Sequence, residues 1–253
     1  MFRCVINLDS SIDRWHSIKS QFDAFGLEVE RISGVLGKAL TQEETAAVLK
    51  PVEFGYVYPL QPSEIGCFLS HRKAWEAFLA SGEKWGMILE DDARLSKEFA
   101  DVFAREDWIP DDVDCLKVGS GGLSVKVRDV RPIPGVGTIF RQVRPTPFNL
   151  ACYILSVPAA RDLLVMTERF NCPVDYMIFS AWFDFVRTHK VYRLDPQLVR
   201  TVCAPSDIGL RKSKRFKRPW RYQLNPLRWW RQICISYDKR NGTPYRMKDG
   251  TFE

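Results

Sequence analysis

The first fifty residues alternate between short apolar segments and an amphipathic helix. Arg3–Leu8 is an apolar run typical of a buried strand, and apolar side chains then recur at helical spacing until Gly26. Leu27–Ser33 predicts a second strand, which completes a strand-helix-strand order. This order is typical of an open parallel sheet that is covered by helices. The sequence therefore predicts an α/β fold with helices on both faces.

Local signals extend this pattern along the chain. Thr41 and Glu44 form a capping box that predicts a helix through Leu49, and Pro62 opens another helix that ends at Gly82. Apolar runs and helical periodicity predict further strands and helices, which are strands Gly86–Glu90, Val113–Val118, Thr138–Val143, Leu150–Ser156 and Lys190–Leu194, and helices Pro158–Arg169 and Val174–Arg187.

Composition excludes several classes of protein. With 253 residues, 45% hydrophobic and 27% charged, the chain has enough apolar surface to bury a core, which excludes extensive disorder. The longest stretch without charge, Pro145–Ala160, contains three prolines and is shorter than the roughly 20 apolar residues of a spanning helix. The seven cysteines contain no CxxC pair, and the first residues lack a signal-peptide pattern. We therefore expect a cytoplasmic protein with reduced thiols.

The charge is concentrated near the C-terminus. The formal net charge is +6, and residues 211–231 contain nine Lys or Arg and no acid, interleaved with aromatic residues. We expect a domain over residues 1–208 and a basic, aromatic extension over residues 209–253. Within Arg211–Ile235, a short helix starting at Asn225-Pro226 would suit an anionic membrane interface. The alternatives are a tail folded back onto the domain and a nucleic-acid-binding segment.

An acidic triplet follows a buried strand. Glu90, Asp91 and Asp92 come directly after Met87-Ile88-Leu89, at the carboxyl edge where open α/β sheets bind ligands. Alternation along a strand would direct Glu90 and Asp92 to the same side. Carboxylates with open positions suit Mg²⁺ or Mn²⁺ bound together with a phosphate-containing substrate. The alternative is a solvated loop or the start of a helix.

Four segments follow one another along the chain, namely Val5–Trp15, Glu64–Glu76, Ile88–Leu95 and Cys152–Leu164. The first three, in this order, resemble glycosyltransferase family 25, which includes bacterial lipooligosaccharide galactosyltransferases and their collagen-modifying relatives, and the fourth is similar to that family as well. The second segment is the most specific, because Gly66, Cys67, Ser70 and His71 are correctly spaced ahead of the acidic triplet. The similarity extends over roughly residues 1–208.

This resemblance implies a GT-A-like, Rossmann-type fold that binds a nucleotide sugar. It also implies a divalent metal, Mn²⁺ or Mg²⁺, at the acidic triplet, and inverting transfer of a sugar, typically galactose from UDP-galactose. The expected acceptor is a lipid-linked oligosaccharide of the lipooligosaccharide or lipopolysaccharide core. Such an enzyme would work peripherally on the inner face of the cytoplasmic membrane.

Roles within the acidic triplet and the first strand follow from the resemblance. Asp92 becomes the principal metal ligand, while Glu90 either reaches the metal through water or binds the donor sugar or ribose. Asn7, Asp9 and Arg14 become candidates for contacts with the base, ribose or phosphates. For Arg14, an ion pair with a local acid is an equally favoured alternative to a nucleotide contact.

The second segment and the end of the domain supply further candidates. His71 is a donor-site candidate, with a buried structural histidine as the alternative. Arg72 and Lys73 are weaker phosphate-binding candidates on the same turn. Asp207 is a candidate for closing over the diphosphate, or alternatively a turn residue. Gly119–Gly122 lacks the ending of a phosphate-binding loop and favours a flexible loop over the site.

The catalytic base is the least determined role. Inverting transfer needs one carboxylate to take the proton of the acceptor hydroxyl. Asp175 matches a family aspartate and Asp184 is less favoured, while a helix cap after Pro173 is the structural alternative for Asp175. Two other functions compete with glycosyl transfer, namely metal-dependent phosphoryl transfer or phosphodiester cleavage with the same acids, and nucleic-acid binding through the tail.

Overall fold

The computed structural model describes residues 1–51, 59–119, 124–142, 149–202 and 226–252. It confirms the α/β class. Its strands are β1 (Phe2–Asn7), β2 (Glu30–Ser33), β3 (Trp85–Glu90), β4 (Ala93–Leu95), β5 (Cys115–Lys117), β6 (Ser124–Ile133), β7 (Gly137–Gln142), β8 (Cys152–Ser156), β9 (Val191–Asp195), β10 (Val199–Thr201) and β11 (Thr243–Arg246). Its helices are α1 (Ile12–Ala24), α2 (Gln42–Val48), α3 (Pro62–Ser81), α4 (Phe99–Phe103), α5 (Val157–Met166), α6 (Val174–Phe179), α7 (Phe185–Thr188) and α8 (Pro226–Asn241).

The central sheet is mixed rather than parallel. Its nine strands run in the order β11-β6-β7-β9-β5-β8-β3-β1-β2. Parallel pairing joins β1 to β2, β1 to β3 and β5 to β9, and the other neighbours in this sheet are antiparallel. Parallel neighbours need a long crossover, whereas β6 and β7 are joined by only three residues. The predicted parallel order therefore holds around β1 and not for the whole sheet.

Helices cover both faces of the sheet, as predicted. On β3, Ile88 contributes to the core with α3, α5 and α6, while Met87 and Leu89 contribute to the core with α1 and α4. This alternation is the period of two expected for a strand that is buried on both faces. The end of β3 therefore lies between two packed layers, next to the end of β1.

Two helix predictions differ in their outcome. The capping box of Thr41 and Glu44 is present at the start of α2, as predicted. The helix predicted over Val174–Arg187 is wrong in its length, because α6 ends at Phe179 and α7 begins at Phe185. The Ser180 hydroxyl accepts a hydrogen bond from the backbone N–H of Trp182 at 3.3 Å, a local bond that competes with helix.

The end of the chain returns to the sheet. Helix α8 begins at Pro226, where the sequence predicts a helix start, and β11 then pairs antiparallel with β6. Residues beyond the predicted boundary at 208 thus add an edge strand to the same sheet. Most of the basic segment, residues 211–225, lies outside the described residues, as do Asp207 and residues 120–122 of the glycine-rich segment. In the part of the chain that the structure describes, no helix is long and apolar enough to cross a bilayer.

Candidate functional site

A cavity of about 300 Å³ opens where β1 and β3 end. Since these strands are parallel neighbours, their carboxyl ends meet at one edge of the sheet, next to α3. The cavity contains three acids and two cations together with residues of the loop after β2, and its lining is Ile6, Leu8, Ser10, Ser11, Arg14, Gly34, Val35, Leu36, Gly37, Lys38, Ser63, Cys67, Ser70, His71, Glu90, Asp91 and Asp92. The acidic triplet therefore lies at a ligand-sized cavity, at the edge that the sequence predicts.

Asp91 is fixed by its neighbours. Its Oδ2 accepts a hydrogen bond from Asn7 Nδ2 at 2.7 Å, and its Oδ1 lies 3.5 Å from a guanidinium nitrogen of Arg14. Burial raises the pKa of Asp91, although the bonds from Asn7 and Arg14 act in the opposite direction. The ion pair that the sequence offered as the alternative role of Arg14 is thus present, and Arg14 still lines the cavity.

Asp92 has a buried carboxylate oxygen, Oδ1, that lacks a hydrogen-bond partner among the described residues. Burial raises the pKa of Asp92 to about 7, and the negative charges of Glu90 and Asp91 add to the shift. A buried oxygen without a donor, among other acids, is stabilised by a cation. The donor set of Glu90 and Asp92 therefore fits the hard divalent metal that the sequence predicts.

His71 connects α3 to the end of β3. Its Nδ1 lies 2.8 Å from the Tyr153 hydroxyl, which also accepts a hydrogen bond from Trp75 Nε1 at 2.8 Å. Its Nε2 is directed towards Glu90, 3.7 Å from Oε1, without a hydrogen bond to the described residues. His71 is thus held by a buried structural contact on one side and faces the cavity with the other.

Cys67 lies one helical turn before His71 and lines the same cavity. Burial raises the pKa of the Cys67 thiol well above its usual range, and the nearby carboxylates, Glu90 foremost, add to the shift. The thiol is therefore protonated at neutral pH, which argues against a nucleophilic role.

Gly66 and Ser70 fasten one wall of the cavity. The Ser70 hydroxyl accepts a hydrogen bond from the backbone N–H of Val35 and donates one to the Gly66 carbonyl, both at 2.7 Å. A Cβ on Gly66 would lie 2.4 Å from the Val35 carbonyl oxygen and 2.5 Å from the Gly37 nitrogen. Only glycine therefore lets the loop after β2 pack so closely on α3.

The variant Gly66→Ala tests this packing. Alanine should favour an isolated helix, yet here we expect the free energy of unfolding to fall by about 1–3 kcal/mol because the loop must move away. Chemical denaturation measures the change, with the exposed Glu76→Ala on the same helix as a control that should be neutral. Equal stability of Gly66→Ala and wild type would contradict the close packing.

Asn7 and Asp9 do not line the cavity. The Asn7 side chain is buried and donates to the Ser11 carbonyl at 2.9 Å and to Asp91, while its Oδ1 accepts from Arg31 at 2.9 Å. Asp9 is exposed, pairs with Arg31 at 3.1 Å and accepts from the Ser33 hydroxyl at 2.8 Å. Asn7 therefore orients Asp91, and direct contact of Asn7 or Asp9 with a nucleotide stays a prediction.

Arg72 and Lys73, the two cationic residues of the second segment, do not line the cavity, whereas Lys38 does. Arg72 donates to the Leu164 carbonyl at 2.8 Å and to the Thr167 hydroxyl at 2.6 Å, which ties α3 to the end of α5. Lys73 donates to the Ser33 carbonyl at 2.6 Å. Sequence reasoning missed Lys38, because it lies in a loop whose approach to α3 no local pattern indicates.

Asp175 lies in the first turn of α6, half-buried. Pro173 is the N-cap of this helix, so the cap predicted as the alternative role of Asp175 is wrong, although its Oδ1 accepts from the Tyr176 backbone N–H at 2.9 Å. Burial raises the pKa of Asp175 to about 7, the charge of Glu90 raises it further and that of Lys117 lowers it. A carboxyl group with this pKa can exchange a proton near neutral pH.

Lys117 influences the charge of Asp175, whereas Asp184 is engaged with the C-terminal helix. Lys117, at the end of β5, is buried, and burial lowers its pKa to about 7, while its Nζ lies 4.4 Å from the centre of the Phe179 ring. Asp184, the less favoured base, accepts a hydrogen bond from Arg231 of α8 at 2.5 Å. Asp184 is thus engaged in anchoring the C-terminal helix.

Comparison with known proteins assigns the family. The profile of the family described as "Glycosyltransferase family 25 (LPS biosynthesis protein)" matches residues 1–178. The chain belongs to glycosyltransferase family 25. The matched region includes every residue that lines the cavity and also Asp175. The resemblance carried by the four sequence segments is confirmed.

Curated relatives match parts of the chain. A "Glycosyltransferase 25 family member" of Aedes aegypti is 33% identical over 100 residues, which are 38% of this chain and 16% of that protein. "Procollagen galactosyltransferase 2" of Homo sapiens is 31% identical over 174 residues, which are 63% of this chain and 26% of that protein. The chain therefore spans less than a third of the length of these relatives.

A solved structure is also similar to the chain. It is titled "Crystal structure of a glycosyltransferase involved in the glycosylation of the major capsid of PBCV-1", and the similarity covers 95% of this chain and all of that one. The TM-score is 0.43 and the sequence identity 9%. A likeness at this level supports no conclusion about function.

Proposed function

We propose that this family 25 chain is a metal-dependent, inverting glycosyltransferase. Its donor would be UDP-galactose and its acceptor a lipooligosaccharide or lipopolysaccharide core saccharide. The observation that carries the proposal is the convergence of Glu90, Asp92 and His71 with two cations on one cavity at the carboxyl edge of the sheet.

The charged side chains that line the cavity suit a nucleoside diphosphate bound beside a metal cation. Arg14 and Lys38 supply positive charge for the phosphates. Glu90 and Asp92 would hold Mn²⁺ or Mg²⁺, which when bound would supply Lewis-acid stabilisation of the charge on the departing UDP. The buried Oδ1 of Asp92, which has no hydrogen-bond partner in the described part of the chain, supports this assignment.

Asp175 is the proposed base. In the reaction the acceptor hydroxyl oxygen attacks the anomeric carbon from the face opposite UDP, the bond to UDP breaks, and the hydroxyl proton passes to a carboxylate. Asp175 suits this step because its pKa of about 7 leaves it able to accept a proton at physiological pH. The electrostatic influence of Glu90 on Asp175 supports a position near the donor cavity.

The proposed acceptor is lipid-linked, and the C-terminal helix supports a position at a membrane. The words "LPS biosynthesis protein" in the family description favour such an acceptor, whereas the animal relatives are named for procollagen. On α8, Trp229, Trp230 and Ile233 are 64%, 57% and 59% exposed, while Arg231 is buried against Trp182 and Asp184. The helix is thus tied to the domain through Arg231, and three large apolar side chains on it are exposed. We place the protein peripherally on the inner face of the cytoplasmic membrane.

An assay of UDP release tests glycosyl transfer against its competitor. UDP-galactose is incubated with Mn²⁺, with and without a core saccharide, and both UDP and the extended saccharide are measured. Glycosyl transfer predicts that UDP formation requires the acceptor and equals the product formed. Release of UMP or galactose 1-phosphate without acceptor would instead indicate cleavage of the diphosphate.

Membrane association is tested by changing the outward side of α8. Truncation after Leu210 would also remove β11, so the sharper variant is Trp230→Ser with Ile233→Ser. We expect binding to phosphatidylglycerol vesicles at low salt to fall by about tenfold or more, because two apolar side chains lose their burial in the interface. Vesicle co-sedimentation measures this loss.

The control is the exposed Val165→Ser on α5, which should bind vesicles like wild type. UDP affinity should be the same in all three proteins. Wild-type protein that ignores anionic vesicles, or a double variant that binds them equally well, would contradict the membrane assignment.

A further inference from the structure

Three chemically different metal-binding groups meet inside the cavity. One ligand atom each from Cys67, His71 and Glu90 lies within 4.8 Å of the other two. Cys67 and His71 are four residues apart on α3 and therefore share one face of the helix, while Glu90 ends β3. The three groups are thus held by two rigid elements whose relative position is fixed by core packing.

The imidazole of His71 is oriented as in a metal site. The side chain is 1% exposed, and Nε2 has no hydrogen-bond partner among the described residues. Its Nδ1 is held by the Tyr153 hydroxyl at 2.8 Å, and Tyr153 is itself held by Trp75. When Nδ1–H donates to that hydroxyl oxygen, the lone pair of Nε2 points towards Glu90. A histidine that binds metal is usually fixed in this manner through its other nitrogen.

The distances suit a small tetrahedral cation. Ligand atoms around Zn²⁺ are separated by about 3.5 Å, given metal–ligand bonds of about 2.0–2.3 Å. The distance from His71 Nε2 to Glu90 Oε1 is already 3.7 Å. The remaining separations, at 4.8 Å or less, need a closure of at most about 1.3 Å, which is within the reach of a side-chain rotation of Cys67.

We propose that Cys67, His71 and Glu90 form a second cation position, selective for borderline-soft ions such as Zn²⁺ and Co²⁺. The Cys67 thiol, protonated in the free protein, releases its proton to solvent as the metal–sulfur bond forms. Sulfur and imidazole ligands favour these ions over Mg²⁺ and Mn²⁺, which prefer the oxygen ligands of Asp92 and its neighbours. All three residues line the cavity. Because Glu90 belongs to both sets, Zn²⁺ would withdraw it from the donor site and inhibit transfer, a consequence that rests on the proposed function.

Cobalt binding tests the site without any assay of transfer. Co²⁺ is titrated into the full chain under reducing conditions, and the thiolate-to-cobalt charge-transfer absorption is recorded. We expect one equivalent of Co²⁺ to produce this band, which Zn²⁺ then removes by displacement. Cys67→Ser should abolish the band, and His71→Gln should weaken Co²⁺ affinity by about tenfold or more.

Two controls locate the site within the molecule. Cys234→Ser alters a half-buried thiol on α8 and should keep the band, and Asp92→Asn should keep it too because Asp92 is not a ligand of this position. Circular dichroism establishes that each variant is folded. If Cys67→Ser does not fold, Glu90→Gln replaces it, with an expected tenfold or greater loss of Co²⁺ affinity.

The outcomes separate this inference from the proposed function. A wild-type protein without the band, or a band that persists in folded Cys67→Ser, would overturn the site even if the protein transfers sugar. A band with the expected variant pattern in a protein that transfers no sugar would support the site while refuting the proposed function. Zn²⁺ inhibition that is absent in Cys67→Ser would support the shared role of Glu90.

Discussion

Replacing Asp92 by Asn should lower sugar transfer by about a thousandfold, because Lewis-acid stabilisation of a leaving group is worth several kcal/mol. The substitution keeps the size of the side chain and removes only the charge that would hold the metal. The fold should persist, since Oδ1 of Asp92 is buried without a hydrogen bond to the described residues and the charge of the carboxylate is repelled by two other acids. At pH 8 the variant should be at least as stable to heat as wild type.

Transfer is measured as UDP release over a range of Mn²⁺ concentrations. The matched control is Asp13→Asn, an exposed acid in the first turn of α1, which should leave transfer unchanged. Turnover close to wild type in Asp92→Asn, with metal still required, would remove Asp92 from the mechanism.

Asp175→Asn should reduce transfer to the saccharide by about a hundredfold or more while the affinity for UDP stays close to wild type. The expected size is that of a lost general base. Asn cannot take the acceptor proton, but Asp175 does not line the donor cavity. A loss of UDP affinity as large as the loss of transfer would contradict its assignment as the base.

The pH dependence of both rate and stability follows from the raised pKa of Asp175, about 7. A base must be deprotonated, so at saturating Mn²⁺, which would keep Asp92 ionised as a ligand, the rate should rise with pH up to about 7 and then level off. Asp175→Asn should lack this rise. Because the folded state holds the proton more tightly than the unfolded state, whose carboxyl has a pKa of about 4, the contribution of Asp175 to stability should fall as pH rises from 4 to 7. Asp175→Asn should therefore gain stability relative to wild type over that range.

Elements with explicit local signals could be predicted from the sequence. Gly26 and Gly82 follow α1 and α3 with φ values of +66° and +74°, the left-handed conformation for which glycine is suited. The short strands β4 and β10 have no pattern of their own, whereas β5, equally short, lies within the predicted strand Val113–Val118. Strand β11 pairs with β6, which lies more than one hundred residues earlier in the chain and contains four charged residues. Such strands depend on partners that are distant in sequence.

For the candidate site as well, some features could be predicted from the sequence and others could not. The position of the acidic triplet follows from the buried strand before it, and therefore could be predicted. The role of Asn7 in holding Asp91, and the presence of Lys38 and Cys67 in the lining, depend on contacts between separate elements. One wall of the cavity depends on the close approach of Gly66 to Val35, and only the folded structure reveals this contact.

The affinity of UDP with and without Mn²⁺ tests most directly that this cavity is a metal-dependent donor site. Calorimetric titration of wild-type protein should give one UDP per chain, bound at least about tenfold more tightly with Mn²⁺, and Asp92→Asn should lose that gain. UDP affinity that is the same with and without Mn²⁺ in wild type, or a gain that persists in Asp92→Asn, would contradict the account.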